Sequence, residues 1–168
     1  MAVRNIVLLG DPLLLQKGAP VGADELGLAL SIGNDLRDTM RAFRQRHGWG
    51  RAIAAPQIGV SKQVVFMEVS SPQILINPII ENPSAETIEI WDDCMSFPEL
   101  MVKVRRHRAV EVSYRDHEWQ RRRIKAEDAL AELLQHEIDH LNGIVATMRA
   151  VDGTAFALRR QRMQKREM

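Results

Sequence analysis

The run Gln135-His136-Glu137-Ile138-Asp139-His140-Leu141-Asn142-Gly143 constrains this 168-residue chain more than any other stretch of it. Apolar residues recur at helical spacing from about Ala129, so the run reads as an α-helix. Ala129, Leu133 and Leu134 then share its inward side with the histidines. At 3.6 residues per turn, His136 and His140 leave one face a turn apart, and two imidazoles so placed can bind one divalent ion. Glu137 is close enough to act on a water bound to such an ion. Whatever fold the chain takes has to bring further ligands to this face.

A catalytic ion of this kind usually has three protein ligands and one open position. Downstream of His140 the candidates are poor. The spacing that would place a third histidine at position 146 finds Ala146, and the only later glutamate is Glu167, in the terminal tail. Upstream stands Cys94, the one cysteine and therefore unable to form an internal disulfide. A lone cysteine can equally be a small buried apolar residue. As a ligand, a thiolate beside two imidazoles suits Fe(II), Zn(II), Co(II) or Ni(II).

The length and the 45% hydrophobic, 27% charged composition fit one globular domain over residues 1–168. The apolar stretch 6–15 is broken by Gly10, Asp11 and Pro12, so no membrane span is expected. No leader pattern opens the chain, and the expected location is the cytoplasm. A net charge of +1 gives no global argument for nucleic acid.

Residues 3–22 read as extended, and Asp24 is a candidate cap for a helix over 25–47 whose weak point is Gly33. Gly48-Trp49-Gly50 ends that helix. Small residues then lead to Gln57, which can donate and accept hydrogen bonds, or which simply ends a tight loop. Strands are predicted over 63–69, 74–80, 86–91, 101–104, 109–114 and 119–125, an antiparallel set with Asp116-His117 at a hairpin turn. Glu127 and Asp128 open the histidine helix and Gly143 ends it. Residues 144–148 read as a short strand, and a C-terminal helix is expected over about 153–168. Its Arg159, Arg160, Arg162, Lys165 and Arg166 make a basic face that can bind phosphate backbone, as on a ribosome.

Three ordered motifs resemble the peptide deformylases: Gly50-x-x-x-Ala54-Ala55-Pro56-Gln57, Cys94-Met95-Ser96 with Pro98, and Gln135-His136-Glu137-x-Asp139-His140. The resemblance covers nearly the whole chain. It implies an α+β fold with antiparallel or mixed sheets around a central metal-binding helix, flanked by an N-terminal and a C-terminal helix. It implies an enzyme that removes the N-formyl group from N-formylmethionyl peptides and nascent proteins, giving formate and a free amine. The metal would be held by Cys94, His136 and His140, with Fe(II) expected in the cell and Zn(II), Ni(II) or Co(II) as alternatives. Glu137 would move the proton, and Gln57 with the Met95 N–H would meet the oxyanion. Gly50, Arg51 and Ala52 would line the substrate cleft of a monomer or weak homodimer. The chain departs from the family pattern in four places. Asp92-Asp93 replaces Glu-Gly before the cysteine, with Arg106 a candidate partner for Asp92. Arg51 stands where the family has an apolar pocket residue, Ala52 replaces a glycine, and Met101 replaces an arginine. Arg51, Asp93 and Met101 therefore leave two alternatives: the same chemistry on another N-formyl or N-acyl amide, or a non-catalytic peptide- or ribosome-binding relative.

Overall fold

Alternation along the short strands places each helix in the computed structural model, which describes residues 2–164. After an N-terminal segment with two 3-10 turns, Pro12–Leu15 capped by Asp11 and Ala23–Glu25, the chain enters α1 (Leu26–His47). Then follow β1 (Ala52–Ala54), β2 (Val64–Glu68) and β3 (Pro72–Glu81), then β4 (Thr87–Asp93) and β5 (Leu100–His107). The hairpin of β6 (Ala109–Arg115) and β7 (Arg121–Glu127) leads directly into α2 (Asp128–Leu141). Successive strand residues point to opposite faces of a sheet. Ala52, Ala54, Val65 and Met67 accordingly pack on Leu134, Ile138 and Leu141 of α2. Their neighbours Ile53, Val64 and Phe66 pack on Ile32, Leu36 and Met40 of α1.

The strands form two sheets, one in the order β1-β2-β3-β6-β7 and one in which β5 lies between β4 and a last strand, β8 (Phe156–Leu158). Every strand pairing among the described residues is antiparallel. Helix α2 touches both sheets, and all its residues from Ala131 to Leu141 are buried. A third apolar cluster, containing Cys94, Phe97, Val102, Val104 and Ala146, anchors the smaller sheet. The α+β architecture around a central histidine helix is the one expected, with wholly antiparallel sheets.

Several local readings are corrected. Gly22 precedes the Ala23–Glu25 turn, and the Glu25 carboxylate accepts its N–H at 2.9 Å, so Glu25 rather than Asp24 serves that end. Gly33 interrupts no helix. A side chain there would come within 2.5 Å of Ile74, so glycine is what lets α1 lie close on β3. Ala129 is exposed, because the inward face of α2 starts at Ala131. The strand expected over 144–148 is a 3-10 turn, Ala146–Arg149. The helix expected over about 153–168 is first the strand β8 and then a short α3 (Arg159–Gln164), with 165–168 outside the described residues. Pairing of Val102 with Phe156 and of Leu100 with Leu158 makes that segment a strand, a non-local cause that local periodicity does not carry.

Candidate metal centre

Helix α2 presents His136 and His140 on one face, and the end of β4 delivers Cys94 to meet them. Cys94 Sγ lies 3.2 Å from His140 Nε2, and the two Nε2 atoms are 3.1 Å apart. The three donor atoms lie within 4.8 Å of one another and all three residues are buried. A tetrahedral ion with nitrogen at about 2.0–2.1 Å and sulfur at about 2.3 Å separates its ligand atoms by about 3.3–3.6 Å. Two of the three separations have nearly that spacing, and a soft sulfur with two imidazoles is a good donor set for a divalent transition metal. Gln57 Nε2 at 3.3 Å and the Ser96 N–H at 3.4 Å both donate to Sγ, which suits a sulfur carrying negative charge.

The electrostatics point the same way. Burial opposes a charge on His136, but the Asp92 carboxylate and Cys94 outweigh it and hold the ring well above its ordinary pKa. Surroundings that favour a proton there equally favour a divalent cation. Burial, helped by His136, pushes His140 well below its usual value, which keeps it neutral with a lone pair to give. Burial raises the Glu137 carboxyl to about 7, the range in which an acid–base group works at neutral pH. Its Oε2 is buried and has no hydrogen-bond partner among the described residues.

Behind the helix an ionic network fixes this arrangement. His136 Nδ1 is 2.8 Å from Asp92 Oδ1. Arg106 donates to Asp92 at 3.0 Å and also to Asp139, which Arg149 holds from the other side at 2.8 Å. Gln135 clips α2 to β5 by accepting the His107 N–H at 3.0 Å and donating to the His107 carbonyl at 2.8 Å. The pairing of Asp92 with Arg106 that the sequence raises is therefore present.

Every expected site residue except His140 lines one cavity of about 440 Å³. His140 is fully buried beneath it. Gln57 is no loop-end glutamine: it is 1% exposed, and its oxygen accepts the Ala54 N–H at 2.9 Å, which turns its amide nitrogen toward Cys94. The Met95 N–H donates to no group among the described residues. Arg51 reaches Glu132 at 3.2 Å, and both line the cavity, as does Asp93; Met101 does not.

Three participants were missed by sequence reasoning. Ser96 accepts from the Gln57 amide at 3.3 Å. Glu132 stands one turn before His136, so the i, i+4 rule that paired the histidines would have found it. Arg159 is brought in by β8 and gave no local signal. It lies over Trp49, and Arg162 lies over Trp91, so two residues of the expected basic face are stacked on aromatic rings. Lys165 and Arg166 lie outside the described residues.

Comparison with known proteins agrees with this geometry. The family described as polypeptide deformylase matches residues 3–155. A peptide deformylase of Heliobacterium modesticaldum is 38% identical over 86% of this chain and 92% of its own length. A protein of Brucella melitensis named peptide deformylase-like is 37% identical over 99% of this chain and 96% of its own. The crystal structure of peptide deformylase from Thermotoga maritima superposes with a TM-score of 0.82 and 30% identity, covering 90% of this chain and all of that one.

Proposed function

Because the chain belongs to the polypeptide deformylase family, we propose that it hydrolyses the formamide of N-formylmethionyl peptides at Cys94, His136 and His140. The products are formate and a free α-amine. The observation that carries this reading is the convergence of one sulfur and two imidazole nitrogens within 4.8 Å of one another, His140 Nε2 lying 3.1–3.2 Å from both of the others, with a buried glutamate alongside and a cavity in front. The relatives do not favour a different N-acyl amide or a non-catalytic role.

Cys94, His136 and His140 would hold one divalent ion, with Fe(II) the expected cellular metal and Zn(II), Ni(II) or Co(II) able to replace it. When bound, such an ion supplies the Lewis acidity that makes water a nucleophile near neutral pH. Glu137 takes the proton of the attacking water at Oε2 and hands it to the departing amine. The Gln57 amide and the Met95 N–H would meet the charge that grows on the formyl oxygen, and loss of one such donor would cost about 2.7–4 kcal/mol of barrier. Gly50, Arg51 and Ala52 border the bound peptide.

We further assign residues 1–168 to one catalytic domain, acting in the cytoplasm as a monomer or weak homodimer. No helix among the described residues is long and apolar enough to cross a membrane. Docking on the ribosome through α3 would use the exposed Arg160, beside Arg159 and Arg162 stacked on tryptophans.

The test is formate release from a formyl-Met tripeptide by protein loaded with Fe(II), Ni(II) or Co(II). Wild type should exceed Glu137→Ala by about 10²–10⁴-fold, the usual worth of a positioned acid–base group. Release no greater than in that variant would end the reading.

A further inference from the structure

Arg159 follows β8 directly, and the pairing of that strand with β5 carries it back to the cavity. Its Nε donates to the Pro98 carbonyl at 2.7 Å and its Nη1 to Asp93 Oδ2 at 3.0 Å. The guanidinium carbon stands 3.7 Å from the centre of the Trp49 ring. Trp49 and Asp93 both line the cavity that holds the candidate metal ligands, and Asp93 immediately precedes Cys94.

Of the acids that line this cavity, Glu137 is the acid–base group and Glu68 is held by Arg41 and Arg44; the others, and Asp92 behind them, each meet an arginine. Arg106 answers Asp92 and Arg51 answers Glu132. Asp93 has one cation among the described residues, Arg159. A carboxylate left unanswered here would oppose the negative charge that grows on the formyl oxygen. The second terminal nitrogen of Arg159, Nη2, is buried and has no acceptor among the described residues. Buried donors are nearly always satisfied, so one that is not calls for a reason beyond packing.

We propose that Arg159 is a positioning residue of the active site, neutralising Asp93 and holding Trp49 so that the cavity wall stays fixed and free of net charge. The C-terminal strand and helix thereby become part of the catalytic apparatus. The inference rests on the deformylase reading above.

The test compares wild type, Arg159→Ala, Arg159→Lys, Asp93→Asn and the Arg159→Ala/Asp93→Asn double variant on a formyl-Met tripeptide, each metal-loaded and checked for metal content. Arg159→Ala should lose about tenfold in kcat/KM, the scale of one uncompensated charge several ångströms away at intermediate dielectric. Adding Asp93→Asn should restore most of that loss, because no charge is left to answer. Arg159→Lys keeps the charge but not the planar stack on Trp49, so its kcat should hold while KM rises. An unchanged Arg159→Ala would overturn the proposal. So would a double variant no better than Arg159→Ala, which would make the role of Arg159 merely structural. Should Arg159→Ala not fold, the kcat and KM of Arg159→Lys decide, and parity with wild type in both would overturn it. The emission of Trp49, read in a Trp91→Phe/Trp119→Phe background, should shift in Arg159→Ala; an unchanged spectrum contradicts the proposal. Wild-type protein inert on formyl-Met peptides would instead end the deformylase reading, and the emission data would still decide whether Arg159 holds Trp49.

Discussion

The two sides of α2 use the same chemistry to different ends. Behind the helix, Asp92, Arg106 and Asp139 form a chain of ionic hydrogen bonds whose side chains are 1%, 3% and 11% exposed. On the cavity side, Arg51 pairs with Glu132 and Arg159 with Asp93, but Arg51 is 45% exposed and Asp93 35%. A buried pair is stiff and costly to break, whereas a half-exposed pair is screened by water and contributes little to stability. The rear network therefore sets where His136 points, and the front pairs set what the cavity accepts. Rigidity and selectivity are placed on opposite faces of one helix.

The largest effect should come from the rear. Arg106→Ala takes the guanidinium from buried Asp92 and leaves Asp139 with Arg149 alone, and urea unfolding should show a loss of about 3–5 kcal/mol. A variant as stable as wild type would remove the distinction between the two faces. Arg51→Ala should cost about 1 kcal/mol or less in the same assay, because the Arg51 side chain is 45% exposed and its charge is screened by water. Its signature should be an altered KM for the formyl peptide. A stability loss equal to that of Arg106→Ala would show that the front pair is structural too.

The smallest effect lies at the β6–β7 turn, away from both faces. There Asp116 accepts hydrogen bonds from Arg122 and from the backbone N–H groups of Glu118 and Gln120, with Arg122 the main cause of a pKa lowered from 3.8 to about 2. A depressed carboxyl stabilises the folded state above its unfolded pKa and loses that contribution as pH falls. Wild type should thus lose stability between pH 3.8 and about 2 more steeply than Asp116→Asn. Equal slopes in acid titrations of unfolding would contradict this.

Much of this architecture was legible in the sequence because its causes are local. The helical spacing from Leu26 onward, the β-branched runs of β2 and β3, the Asp116-His117 turn and the paired histidines all carry periods or turn chemistry that single segments obey. Cys94 became a candidate by elimination and by its motif, and it lies where a third ligand is needed. Hidden from the sequence was whatever depended on a distant partner. Residues 156–158 read as helix because their strand character comes from β5. Residues 146–149 read as strand although they turn under the smaller sheet, where Ala146 packs in the cluster of Cys94. Arg159 looked like part of a solvated basic face, and only the β5–β8 register shows it facing Asp93 and Trp49.

The central claim is that one sulfur and two imidazoles, 42 to 46 residues apart at the cysteine end (136 − 94 and 140 − 94), share a single ion. The most direct measurement is the absorption spectrum of the Co(II)-loaded protein together with its metal content. One equivalent of cobalt and a sulfur-to-metal charge-transfer band are expected in wild type, with the band absent from Cys94→Ala. Cobalt bound without that band, or with a band that survives removal of Cys94, would contradict the account.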